Sequence, residues 1–94
     1  MSWSRLEAPR KGYPLSLIDG FRRTPEAENR INEAIARAFH DDSGKLALAY
    51  LRSITIESIN GPDASDAELR HQEGMRHLFG IIEARIKAQG TKHG

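Results

Sequence analysis

Ser65 to Gln89 constrains the fold more than any other stretch, because it is a helical pattern with both ends marked. Ser65-Asp66-Ala67-Glu68 reads as a capping box, in which the Ser65 hydroxyl accepts from the backbone N–H three residues on and Glu68 reaches back to the Ser65 N–H. At the other end Gly90 follows Lys87-Ala88-Gln89, which puts a cation in the last turn and a residue tolerant of positive φ just beyond it. Between these marks Met75, Leu78, Phe79, Ile82 and Ile86 recur at helical spacing. About 25 residues at 1.5 Å each make a rod on the order of 37 Å long. The remainder of a 94-residue chain is too short to cover such a rod completely.

Two shorter helices precede it. Thr24-Pro25 is a start signal, with a hydroxyl at the N-cap and proline at the first helical position, and Glu26 and Glu28 complement the positive helix end. Ile31, Ile35, Ala38 and Phe39 then form one buried stripe, and Phe21 before the cap is placed to staple onto it. His40-Asp41-Asp42-Ser43-Gly44 is a turn in which Asp42 or Ser43 caps the next helix. From Lys45 to Ile59 the residues Leu46, Leu48, Tyr50, Leu51, Ile54, Ile56 and Ile59 cover more than half of the helical girth, so this helix asks to be covered from two sides. Ser53 to Ile59 is also β-branched and alternating, which keeps a strand open there. Asn60-Gly61-Pro62 ends the element with a left-handed glycine and a proline, and the short link to Ser65 favours an antiparallel hairpin. Gly74 and Gly80 each cost the last helix roughly 0.5–1 kcal/mol relative to alanine. They are either tolerated or required for close backbone approach by a neighbour.

The expectation is an all-α chain of three helices, about 24–39, 44–59 and 65–89, in a single domain 21–94 with an extended N-terminal arm over 1–20. Pro9, Gly12, Pro14 and Gly20 forbid a long helix in the arm, although Pro14 to Ile18 suits one short turn or a strand. Trp3, Leu6, Tyr13, Leu15, Leu17 and Ile18 give it more apolar surface than a free tail carries, so it lies on its own domain or on a neighbouring chain. The first 23 residues carry a charge of +3, through Arg5, Arg10, Lys11, Arg22 and Arg23 against Glu7 and Asp19. That basic leader reads first as a solvated arm, and it is also the candidate for contact with an acidic protein surface or a nucleic-acid backbone. There is no cysteine, hence no disulfide framework and no thiolate metal site. No apolar run reaches the roughly 18 residues of a membrane span, and the first residues have no apolar signal core.

Side chains with chemical potential are few. Glu68 and His71 form a Glu-x-x-His pair on one helix face, the way di-iron bundles present two ligands, with Glu57 as the nearby third carboxylate and Glu33 another. This is similar to the pattern of small encapsulated ferritin-like proteins, but a solvated helix start is the better account of a single four-residue match. Glu73 with His77, and His40 before two aspartates, read as surface pairs. No Gly-x-Ser-x-Gly elbow and no phosphate-binding glycine loop occurs, so no catalytic residue, metal or cofactor is expected. The exposed start of the last helix holds Asp66, Glu68, Arg70, His71 and Gln72, and its acidic residues disfavour groove reading.

Phe39-His40-Asp41-Asp42-Ser43-Gly44, then Leu48 and Tyr50-Leu51, and finally Glu73-Gly74-Met75-Arg76-His77-Leu78 with Ile82 resemble a family of small tailed-phage and prophage proteins of the Bordetella-phage type, encoded among head-assembly genes. The resemblance covers roughly Phe39 to Ile86. It implies a non-enzymatic virion or assembly component, in the virion or the host cytoplasm, with no catalytic residues to transfer. It also implies that Gly74 and Arg76 act together, glycine for close approach and arginine for a fixed polar contact with a neighbour. The expected contact residues are Trp3, Tyr13, Leu17, Tyr50, Gly74, Arg76 and Phe79, the expected partners are other head or portal proteins, and homo-oligomers would cover the surplus apolar girth. A DNA-packaging adaptor resembling small terminase subunits is the alternative in which the basic leader touches phosphates.

Overall fold

A computed structural model describes residues 12–92, the side chains of 91 and 92 excepted. The chain forms three helices, α1 (Pro25–Ala38), α2 (Asp42–Thr55) and α3 (Asp66–Lys92). Among the described residues there is no strand, only an isolated antiparallel bridge between Leu15 and Arg22. Thr24 caps α1, accepting from the Ala27 N–H at 3.2 Å with Pro25 behind it. α2 is capped one residue earlier than expected, by Asp41, whose carboxylate accepts from the Gly44 N–H at 2.7 Å. At the start of α3 the Glu68 N–H donates to Ser65 Oγ at 3.1 Å, and the Ser65 hydroxyl donates to Glu68 Oε1 at 3.2 Å. The capping box thus closes through the hydroxyl.

Two ends differ from expectation. α2 stops at Thr55 rather than Ile59, and Gly61 does not adopt a left-handed conformation. The Thr55 hydroxyl donates to Leu51 O at 2.7 Å, the Glu57 N–H closes back on Arg52 O at 3.1 Å, and side chains of α3 take up the Thr55 and Ser58 carbonyls. Once those carbonyls have partners outside the helix, nothing favours another turn. α3 runs through Gly90 to Lys92, because glycine tolerates a helical end without imposing one.

α3 is the axis of the molecule. α1 lies along its C-terminal half, with Glu28 and Asn32 opposite Arg85. α2 returns antiparallel to it, Leu48 near Ile86 and Arg52 bonded to Glu83 at 2.9 Å, with Thr55 reaching Gln72. Gly44 sits in the crook between α1 and α2, where an added Cβ would fall on Ala38 O and lie 2.6 Å from Phe39 Cα. Among the described residues Phe79 is the one buried apolar side chain, at 2 % exposure. The radius of gyration is 15.6 Å, against about 12 Å for a compact domain of this length. The helices are therefore held together as much by polar side chains as by an apolar core.

Candidate interaction surface

Residues 14 to 23 fold back on their own domain. A turn through Asp19, with Gly20 at φ +80, brings Ser16 N–H to Phe21 O at 2.8 Å and Arg23 N–H to Pro14 O at 3.2 Å. This loop delivers Asp19 and Arg23 to the junction of α1 and α3. There Arg85, 3 % exposed, donates to Asp19 Oδ2 at 2.7 Å, Asn32 Oδ1 at 2.8 Å and Glu28 Oε2 at 3.1 Å. Arg23 bonds the same two carboxylates, Asp19 at 2.7 and 3.0 Å and Glu28 at 2.9 Å, and the Ser16 hydroxyl adds a donor to Glu28 at 2.7 Å. Two cations meet two anions, so the cluster is neutral. Burial alone would raise the Asp19 carboxyl, but hydrogen bonds from Arg23, the Phe21 backbone and Arg85 outweigh it and hold the group far below the usual carboxylate range. Glu28 is lowered in the same way: burial opposes ionisation, while Ser16, Arg85 and Arg23 favour it.

A second lock fixes α2. Gln72 Nε2 donates to Thr55 O at 2.7 Å and to Ser58 O at 3.2 Å, and Arg76 donates to Ser58 O at 2.8 Å and to Thr55 O at 3.4 Å. A guanidinium at the negative end of α2 also complements its dipole. Arg52 completes the junction, bonded to Glu83 at 2.9 Å and to Glu57 at 3.3 Å.

With its C-terminus locked and its Leu48, Leu51 and Thr55 side turned toward α3, α2 leaves the opposite side open. Leu46 is 74 % exposed, Tyr50 62 % and Ile54 41 %, at i, i+4 and i+8, so they form one row along the helix. The neighbouring rows on that side hold Ser43 and Ala47, and Ala49 and Ser53, all exposed, while exposed Asp42 starts the Leu46 row and exposed Lys45 the Ala49 row. Apart from Asp42 and Lys45, none of these residues carries a charge. The Ser53 hydroxyl donates to Tyr50 O at 2.7 Å, so it asks for no outside partner. Ile59 beyond α2, Leu78 on α3 and Leu17 at the tip of the loop, 99 % exposed, are uncovered as well.

The expected contact residues divide. Tyr50 and Leu17 stand in the open, and Tyr13, half-buried, lends its carbonyl to Arg22 at 2.9 Å. Phe79 is buried within the chain, and it packs this core rather than meeting a partner. Arg76 makes its fixed polar contact with the chain's own α2. Gly74 has nothing within 4 Å of an added Cβ, and neither has Gly80, so the close approach in this molecule is made by Gly44 instead. Phe21 does not staple onto α1; it is half exposed, with the Arg23 guanidinium 5.5 Å from its ring centre. Of the basic leader, Arg23 is committed to Asp19 and Glu28, and Arg22 is exposed but bonded to Tyr13. Trp3, Arg5, Arg10 and Lys11 lie outside the described residues. The ferritin-like set does not come together in the chain: Glu57 is turned to Arg52 and Glu68 to Ser65, and among the described residues no group of three His, Asp or Glu side chains could hold a metal ion. His71 is exposed at the start of α3. Among the described residues no helix is long and apolar enough to cross a membrane.

These features define a small all-α protein with an exposed apolar row along α2. Residues 35–89 match the family model of the Bbp19-like phage proteins, and with more than half of its length matched the chain belongs to that family. Comparison with curated proteins and with solved structures found no match. The matched span holds all of α2, its open side, its Gln72/Arg76 lock and Arg85, whereas Asp19, Arg23 and Glu28 precede it.

Proposed function

We propose that this phage protein is a non-enzymatic structural or assembly component of the virion head or portal region, acting by protein–protein contact. The observation that carries this reading is the imbalance between one buried apolar side chain and the many left open on α2, α3 and the loop tip. A row of large apolar side chains left open, as along α2, marks a binding face, and association is the ordinary way to remove it from water. Membership of a phage family supplies the setting.

The test is composition and binding together. Heads purified from infected cells are expected to contain the chain, and the purified protein should sediment with portal rings or empty heads. Leu17→Asp combined with Leu78→Asp should keep the helical spectrum and lose that sedimentation, since both side chains stand in solvent. A chain missing from particles and unretained by heads or portals would overturn the reading. Salt-sensitive retention on duplex DNA in its place would support the packaging-adaptor alternative, carried by Arg5, Arg10 and Lys11.

A further inference from the structure

We infer that the open side of α2 is a homotypic contact, taking the α2 of a second copy of this chain antiparallel across a two-fold axis beside Tyr50. This deepens the assembly reading by naming the occupant of one of its surfaces, and rests on that reading for its purpose.

The geometry argues for a second copy over another partner. Helices pack by setting the ridge of one into the groove of the other, and the rows four residues apart are the commonest ridges. On α2 the row Leu46, Tyr50, Ile54 is a ridge of large side chains. Beside its middle lie small side chains, Ser43 and Ala47 on one flank and Ala49 and Ser53 on the other, all solvent-exposed. The same face is therefore ridge and groove at once. An isologous two-fold contact requires this, because each copy must supply what the other lacks. Antiparallel pairing about Tyr50 sets Leu46 beside Ile54 of the second copy, and the small flanks let the axes approach to about 8–9 Å.

Charge agrees with shape. Two copies of a charged face repel one another, whereas the middle of this face is uncharged and its charges, Asp42 and Lys45, stand at the N-terminal end of α2, where antiparallel pairing keeps each away from its own mate. A phosphate backbone or an acidic protein would find no complement on it. The open polar atoms are also few, since Ser53 is satisfied within its own helix. A pair of 14-residue helices buries less than the ~800 Å² per partner of a standard stable interface, so the pair forms with rising concentration and exchanges.

The chain has no cysteine, which permits a register-specific test in the full-length protein. A cysteine next to the axis meets its own symmetry mate, and one away from it does not. Under mild oxidation Tyr50→Cys is expected to form covalent dimers at least tenfold faster than Asn29→Cys, an exposed control on α1. Leu46→Cys alone should react at the control rate, while an equal mixture of Leu46→Cys and Ile54→Cys should give mixed dimers rapidly. Tyr50→Cys reacting no faster than the control, with its helical spectrum unchanged, overturns the inference. If Tyr50→Lys then abolishes sedimentation with heads or portals, the occupant is a head protein, and the assembly reading stands without homotypic pairing. If deleting residues 1–11 raises Tyr50→Cys reactivity toward a small thiol reagent and no dimer forms, the occupant is the chain's own leader, which also overturns it.

Discussion

Arg85 shows how much one side chain holds here. It is buried, and its guanidinium spans residues 53 to 66 positions away in the chain, joining loop, α1 and α3. Buried ion pairs offset their desolvation only when every charge has a partner, and removal of one partner strands the others. Arg85→Ala is therefore expected to cost about 3–5 kcal/mol in urea unfolding. The pH dependence has a definite sign. Asp19 and Glu28 are both held below their ordinary values, so the unfolded chain binds more protons than the folded one as acidity rises. The stability they contribute is fully present above the unfolded values of about 4 and is lost as pH falls through the depressed folded ones. The urea midpoint should hold steady from about pH 7 to 5 and fall below about pH 4. In Arg85→Ala the acid-induced loss should be smaller, because with one cation fewer the folded carboxyls sit nearer their unfolded values.

At the scale of the element, α2 is fastened at its two ends and open along its length. Gln72 and Arg76 take the Thr55 and Ser58 carbonyls at and just beyond its end, the neutral Gln72 bonds contributing about 0.5–1.5 kcal/mol each and the charge-assisted Arg76 bonds about 1.5–3 kcal/mol. Arg76→Ala should speed hydrogen exchange throughout α2 while the amides of α1 and the second half of α3 keep their protection, as expected of a separate local unit. Glycines separate in the same way. Gly44→Ala pushes a methyl onto the backbone of Ala38 and Phe39 and should destabilise by about 1–3 kcal/mol. Gly74→Ala enters open space on a helix and should stabilise by roughly 0.5–1 kcal/mol in thermal unfolding. Legibility in the sequence follows the same division between local and distant. Thr24-Pro25 and Ser65 to Glu68 could be read because caps are built within four residues. The end of α2 could not, because it is set by Gln72 and Arg76, more than a dozen residues on. Tyr50 and Leu17, expected at a surface, do stand exposed. Phe79 and Arg76 could not be told from them, because periodicity does not say which stripe the chain covers itself, and Asp19, Glu28 and Arg85 looked like ordinary surface charges. The row Leu46, Tyr50, Ile54 was present as excess girth, and only the placement of Leu48, Leu51 and Thr55 toward α3 singled it out.

The whole molecule is a chain joined by polar contacts within one copy, with Arg23 Nε and Asn60 Nδ2 left buried and unpartnered among the described residues, and with much of its apolar surface open. The Arg85 cluster, the Gln72/Arg76 cap and the Arg52 pairs are all made within one copy, so a single chain keeps its three-helix form. Its reserve of stability is small, because a chain of this size buries only about 60 % of its unfolded surface even when compact, and this one is extended. Association then shifts the folding equilibrium by mass action, since a partner that binds only the folded state stabilises it. If two copies pair through α2, each tenfold rise in protein concentration adds up to about 1.4 kcal/mol to the unfolding free energy of the pair. The thermal midpoint of the native chain should therefore climb with concentration, which calorimetry at two widely separated concentrations would measure. Tyr50→Lys should remove that dependence and leave the midpoint at the low-concentration value, because the lysine stands in solvent in the single chain and faces its own charge in the pair. A native midpoint that is the same at every concentration would mean that the joints within the copy carry all the stability there is.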